Sequence, residues 1–524
     1  MAATVTINGL TADAAPGTSL FDCAERLGVR VPTSCNKQGK CKECVVEVAE
    51  GLESLSAPGE YERHLSGPFR LSCQTMVLGD GAIRCHTMRR GHMRIEQCAV
   101  GLPPSELSAN SRPGYGIALD LGTTTVVLRL IDLQTGSIAA DASFENPQRF
   151  AGSDVMARIF YDTNHPGKLL RRTLAGYLTH AIQEFPIDPL EIREMVVVGN
   201  STMRDIFFRQ NVYSIGQNPY RSITEIEMAE GKRAGTSLLE TGRRCLLPIH
   251  PQAAVYGGPI VSGHVGADAA ACMLAIDLAH EERLVAVMDI GTNTELILGN
   301  RHRILAASCP AGPAFEGGAI ACGMPALDGA IARVQIDDAG DFHLETIGGG
   351  APAGICGSGL VSLLSELMRT GRMNERGRFE DGPDRITLDA ANNVYFLESD
   401  VNELAQAKGA NAAGLETVIS NYGVSFGDID VFYLAGGFGR HLDVDAAMRI
   451  GLIPEIPKNR IVQVGNAAIE GATIALVSEA KRRELEELVL RVEHCRLETH
   501  PRFFDFFVDG CQFQSLPASE RAAV

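Results

Sequence analysis

The sequence predicts a small α+β unit at the N-terminus, followed by a larger α/β unit built from two related halves. Three observations carry this. The first roughly 88 residues alternate like short strands around one helix and hold a cysteine-rich loop. A phrase occurs twice beyond them, Leu-Asp-Leu-Gly-Thr-Thr-Thr at 119–125 and Met-Asp-Ile-Gly-Thr-Asn-Thr at 288–294. After each copy comes an apolar run that ends in glycine.

The 524 residues suggest about three or four structural units. With 45% hydrophobic and 21% charged residues, the chain can bury a sizeable core. The net charge of −17 argues against nucleic acid or an anionic membrane as partner. No apolar run reaches the roughly 18–20 residues that span a bilayer, and the N-terminus lacks a basic-then-apolar signal pattern. A cytoplasmic location is expected. Fourteen cysteines in such a chain point to metal or thiol chemistry rather than a disulfide framework.

In the first unit, residues 1–88, Thr4 to Ile7 alternates as a strand and Asn8-Gly9 supplies a hairpin turn. Ser19, with Asp22 three residues on, predicts a capped helix over Leu20 to Leu27. Cys35, Cys41 and Cys44 follow on a polar loop, with Cys73 further along. Three close thiols plus a remote fourth match the ligand logic of a 2Fe–2S cluster; the five-residue first gap is similar to the adrenodoxin-type variant. Lys40, Lys42 and the loop amides would offset the cluster's charge. Four thiolates also suit zinc, but structural zinc usually takes two paired hooks, and no second C-x2-C is present. The other cysteines show no ligand spacing and read as buried small hydrophobes.

Residues 89–113 combine Pro, Gly and Ser without apolar periodicity and read as a linker. It is either a tether that lets the small unit swing or an ordered strap on the larger one.

In the large unit, each repeated phrase ends one apolar run (Tyr115 to Leu119, Leu284 to Met288) and precedes another (Val126 to Ile131, Glu295 to Leu298). Strand, Asp, Gly, hydroxyl residues, strand describes a hairpin whose turn offers backbone N–H groups to a phosphate and a carboxylate to a hydrated metal. Two copies suggest duplicated halves, 114–282 and 283–524, facing one nucleotide. The strand–Gly pattern at 194–204 recurs at 430–440, and the small-residue helix start at Gly266 recurs at Gly465. Such residues let helices and backbone approach a ligand closely. Gly354 to Leu360 is read as a tight strand–helix turn rather than a further phosphate loop. Glu316, on a Gly-rich loop, is a candidate site residue, and Phe503 to Val508 is read as a terminal element covering the core.

These elements resemble the superfamily of actin, sugar kinases and heat-shock chaperone ATPases. The resemblance implies that Asp120 and Asp289 hold hydrated magnesium and position the attacking water. Gly122, Thr123, Thr124, Gly291, Thr292 and Asn293 would cradle the phosphates of ATP. Gly436, Gly437 and Phe438 would border the adenosine, with Asn200 and Asp268 near the connecting elements; helix capping explains those last two equally well. The chaperones carry a Glu at the helix start before the second hairpin, where this chain has Gly266-Ala267, so the resemblance assigns no further catalytic carboxylate. The expected fold class is an α+β N-terminal β-grasp ferredoxin domain followed by an α/β duplicated actin-like ATPase domain with a C-terminal extension.

A 2Fe–2S cluster carries one electron, and no strand-linked G-x-G-x-x-G marks a flavin or nicotinamide site. Electron donor and acceptor are therefore external, and an attached ATPase fits an uphill transfer. The whole chain resembles the reductive activators of corrinoid proteins. That resemblance implies a corrinoid protein or cobalamin-dependent methyltransferase as partner, taken from Co(II) to Co(I), and a low-potential external electron donor; a homodimer is left open. The alternatives are an ATP-gated donor to another low-potential enzyme, a redox-sensing binding protein, and a sugar kinase fused to a ferredoxin.

Overall fold

The computed structural model describes residues 2–89, 111–380, 384–437 and 442–518. Most of the expected linker, Cys98 and Phe438 lie outside the described residues. Backbone contacts divide the chain into two compact units, one holding residues 2–89 and 111–258, the other residues from 259 onward.

The first unit contains two sheets. β1 (Ala3–Ile7) and β2 (Leu10–Ala14) form a hairpin whose turn residues Asn8 and Gly9 have φ of 51° and 83°, the left-handed pair that such a two-residue turn needs. β3 (Val45–Glu50), β4 (Phe69–Leu71) and β5 (Ala82–His86) complete a five-stranded sheet in the order β2-β1-β5-β3-β4. Its helix, Leu20–Arg26, starts where Ser19 accepts the Asp22 amide at 3.0 Å, and buries Leu20, Phe21, Cys23 and Ala24. This is the α+β ferredoxin fold.

The second sheet runs β10 (Leu238–Thr241), β11 (Ala254–Gly257), β9 (Ile192–Gly199), β6 (Tyr115–Leu121), β7 (Thr125–Asp132), β8 (Ile138–Glu145). β6 pairs antiparallel with β7 and parallel with β9, so the first repeated phrase is the turn of the central hairpin.

One apolar core joins the two sheets of this unit, from Val5 and Val46 through Leu119 and Tyr177 to Val255. The helix Leu169–Gln183 supplies much of the junction. Both ends of the linker are tied to the same unit. Arg89 forms a double hydrogen bond to Glu184 (2.7 and 2.7 Å), the Met88 amide donates to the Tyr177 hydroxyl, and Arg112 pairs with Glu194. Arg30 also donates to Gln183 at 2.6 Å.

The second unit repeats the pattern of the first unit's second sheet. β12 (Val285–Asp289), β13 (Thr294–Asn300) and β14 (Arg303–Cys309) form an antiparallel meander. Strands Val431–Ala435 and Ile461–Gly465 add in parallel beyond β12, and Val492–His494 closes the other edge. The helices Ala267–Ala275 and Ala467–Val477 pack so closely that a Cβ on Gly471 would stand 1.9 Å from the Ala271 carbonyl oxygen. The two small-residue helix starts seen in the sequence therefore become one tight helix pair. Gly354–Ile355 is a short strand running into the helix Gly357–Arg369, which is the structural turn expected there. Phe503–Gly510 is a helix set on the long helix Glu398–Tyr422; it leaves Phe504 72% exposed.

Gly471→Val should destabilise the second unit by about 1–3 kcal/mol through overpacking, read by urea unfolding of the full chain. A second prediction concerns acid. Burial holds both His64 and His180 at about 4, below the ordinary 6.5; Lys42 adds to this at His64, Arg30 and Arg89 at His180. The unfolded chain takes up these protons first as pH falls, so stability present above pH 6.5 should drain away between 6.5 and 4. His180→Gln should flatten the fall in the thermal midpoint across that window.

Candidate functional site

Three places carry the chemistry expected from the sequence, and each follows from where its strands end.

The first is the cysteine loop between the helix Leu20–Arg26 and β3. Cys41, Cys44 and Cys73 are buried, Cys35 is half-buried, and none is in a disulfide. The Cys44 and Cys73 sulfurs are 3.3 Å apart, with the Cys44 thiol donating. That thiol holds Cys73 down at about 6, and Gln74 Nε2 (3.4 Å) and the Gly39 amide assist. Burial pushes Cys35 up, yet donors from Cys41 and the Gln38 amide outweigh it and leave Cys35 below the usual thiol range. Thiolate character is what a metal ligand needs. The thiols meet two by two, Cys44 with Cys73 and Cys35 with Cys41. The donor set fits a 2Fe–2S cluster.

The second place is the β6–β7 turn. Asp120 sits half-buried near the end of β6, beside Val198 of β9. Gly122, Thr123 and Thr124 form the turn, closed by the Gly122 amide on the Thr125 carbonyl at 3.0 Å. Asn146 braces it twice, through Nδ2 to the Gly122 carbonyl (2.8 Å) and its own amide to the Thr124 carbonyl (2.6 Å). Asn200 caps the helix Ser201–Phe207 by accepting the Thr202 amide at 2.9 Å, so its capping role is visible.

The third is the β12–β13 turn. Asp289 ends β12, with Gly291, Thr292 and Asn293 in the turn. Thr292 is buried and its hydroxyl donates to Glu316, which brings that candidate residue to the hairpin. Gly436 has φ 99°, and a Cβ there would stand 2.4 Å from the Ile290 carbonyl and 3.0 Å from Asp289 Oδ1. Only glycine lets the strand Val431–Ala435 turn over Asp289 this closely. Gly437 follows it; Phe438 lies outside the described residues. Asp268 lies in the first turn of the helix Ala267–Ala275 and accepts the Ala269 amide at 2.8 Å. From the same helix the Cys272 thiol donates to Asp289 Oδ2 at 3.3 Å.

Glu295 is the residue that sequence reasoning missed. It lies directly opposite Asp289 in the β12–β13 ladder, is buried, and accepts from Ser308 at 3.2 Å. Burial pushes Asp289 up to about 6. Burial, with the charges of Asp268 and Asp289, holds Glu295 well above the carboxylate range. Asp268, Asp289 and Glu295 thus gather at the second hairpin, with Glu316 on its Thr292, where the missing chaperone-type Glu had left a question. The signal was a lone acid inside an apolar strand; the matching position in β7, opposite Asp120, is Val127.

Residues 4–78 match the 2Fe–2S iron-sulfur cluster binding domain, 115–281 the RACo middle region, and 283–521 the C-terminal domain of RACo, the ASKHA domain. Together these define an iron–sulfur protein carried on a nucleotide-binding, actin-like body. The chain is 31% identical over 464 residues to the corrinoid activation enzyme RamQ of Eubacterium limosum, which covers 83% of this chain and 75% of that one. It is 25% identical over 421 residues to the Co(II) methylated amine-specific corrinoid protein reductase of Methanosarcina barkeri, covering 75% and 76%. A solved reductive activator for corrinoid, iron-sulfur protein superposes with a TM-score of 0.71 at 26% identity over 98% of both chains. The chain belongs to the RACo family of corrinoid reductive activators.

Proposed function

We propose that this protein is an ATP-dependent activator that returns an inactive Co(II) corrinoid protein to Co(I), ready for methyl transfer. The observation that supports it best is the pairing, in one chain, of a four-thiol loop fitted to a 2Fe–2S cluster with two braced Asp–Gly hairpins of the actin-like fold. Cys35, Cys41, Cys44 and Cys73 would hold the cluster, which when bound supplies the single electron that Co(II) takes up. An external low-potential reductant replaces that electron.

The remaining work falls to the ATPase residues. The amides of Thr123 and Thr124, and of Gly291, Thr292 and Asn293, would hold phosphate oxygens at fixed turns, with Gly122 closing the first turn, so little reorganises on binding. Asp120 and Asp289 would hold a hydrated Mg2+ that lets them orient the attacking water, with Glu295 raised by burial and by the charges of Asp268 and Asp289 beside it. Gly436 and Gly437 border the adenosine. Nucleotide changes the reduction equilibrium only by binding one state of the activator–partner complex more tightly than another. Among the described residues no cysteine is in a disulfide, in keeping with the cytoplasm as the proposed location.

No second reading has an observation of its own. The deciding experiment is anaerobic and optical: reduced protein is mixed with a Co(II) corrinoid protein, with and without Mg-ATP. The Co(I) absorption band should appear only with Mg-ATP; its absence across several methyltransferase corrinoid proteins would defeat the reading. Cys41→Ser should abolish the cluster's visible absorbance and electron transfer while ATP hydrolysis persists. Asp289→Ala should leave that absorbance intact and reduce ATP-dependent activation by two or more orders of magnitude, about what loss of a preorganised charge costs; a variant that still activates normally removes Asp289 from the machinery.

A further inference from the structure

The cysteine loop is not self-supporting. Its non-glycine residues Asn36, Lys37 and Lys42 have φ of 51°, 63° and 62°, a left-handed backbone that L residues adopt only when something holds them. Lys37 is held within its own domain, by Asp22 at 2.7 Å and Glu25 at 2.5 Å. The peptide before Lys42 is held from elsewhere. Arg172, on the helix Leu169–Gln183 of the actin-like body, donates Nη2 to the carbonyl of Cys41. Its Nε lies 3.3 Å from the Glu43 carboxylate, so the guanidinium grips the loop on both sides of Lys42. One turn along, Gly176 lies against Pro32, where a Cβ would stand 2.8 Å away.

We propose that Arg172 is a positioning residue for the iron–sulfur cluster, reaching out of the ATPase body to set the geometry and charge of the cluster loop. The inference rests on the cysteine assignment above. A trans peptide points its N–H opposite to its carbonyl, so the grip on Cys41 fixes the direction of the Lys42 amide, one of the loop donors available to cluster sulfurs. Arg172 also adds a permanent positive charge beside a ligand residue. Reduction adds one negative charge to the cluster, and a nearby cation favours that state. Arg172 therefore raises the reduction potential and ties it to the body that binds nucleotide.

The test is an EPR-monitored redox titration of the cluster-loaded, full-length protein, with visible circular dichroism as a second readout. Arg172→Ala should shift the midpoint to lower potential, giving a several-fold smaller reduced fraction at a fixed viologen ratio, and should alter the dichroism. Arg172→Lys should fall between, keeping the charge but not the two-sided grip. Glu184→Gln, which loosens the Arg89 contact just past the end of the same helix and away from the loop, should leave both readouts unchanged. An Arg172→Ala midpoint and dichroism equal to wild type would overturn the proposal, as would an equal shift in Glu184→Gln, which would assign the effect to domain docking. If Arg172→Ala fails to load, Arg172→Lys and Arg172→Gln carry the comparison on the same terms. A wild-type protein that binds no cluster would instead sink the cysteine assignment itself.

Discussion

Each half of the actin-like body depends on a hairpin turn that must stay rigid. The first closes on itself through the Gly122 amide and the Thr125 carbonyl, and its other ties come from outside the hairpin. Asn146 supplies them, taking two carbonyls of the Gly122–Thr124 turn. In the second, the Gly312 amide reaches the Thr292 carbonyl at 2.8 Å and the Thr292 hydroxyl reaches Glu316. The parallel strands beside each hairpin end at the same edge, Gly199 beside Leu121 and Ala435 beside Asp289. The carboxyl ends of parallel strands are where open α/β sheets gather ligands.

The duplication is faithful in backbone and broken in charge. Both hairpins end their first strand near an aspartate, yet only the second faces that aspartate with another acid. Like charges directly opposed across a ladder destabilise it; burial raises both carboxyls here, and the charge of Asp289 adds to this at Glu295. Glu295 gives the second hairpin a buried pair of acids, where Val127 leaves the first with a single aspartate.

Much of this was legible in the sequence because it is local. Asn8-Gly9, the Ser19 cap and the two Asp–Gly hairpins are decided within a few residues of themselves. The cysteine spacing was legible because ligand geometry tolerates few spacings. Contacts that join distant segments through ordinary residues were not legible. Arg172, Gly176 and Tyr177 lie on an amphipathic helix with no motif, and nothing in their spacing announces a ferredoxin loop on the other side. Glu295 was passed over because it sits within an apolar run. Asn200, read either as near the ligand or as a cap, visibly caps its helix.

The apolar core that runs unbroken from Val5 to Val255 has an evolutionary consequence. A redox module on a free tether can be exchanged between lineages by recombination, since its folding owes nothing to its neighbour. Here the module and the first half of the body must fit residue against residue, as Pro32 does against Gly176. A ferredoxin borrowed from another protein would arrive with the right ligands and the wrong surface, so the two parts are constrained to change together.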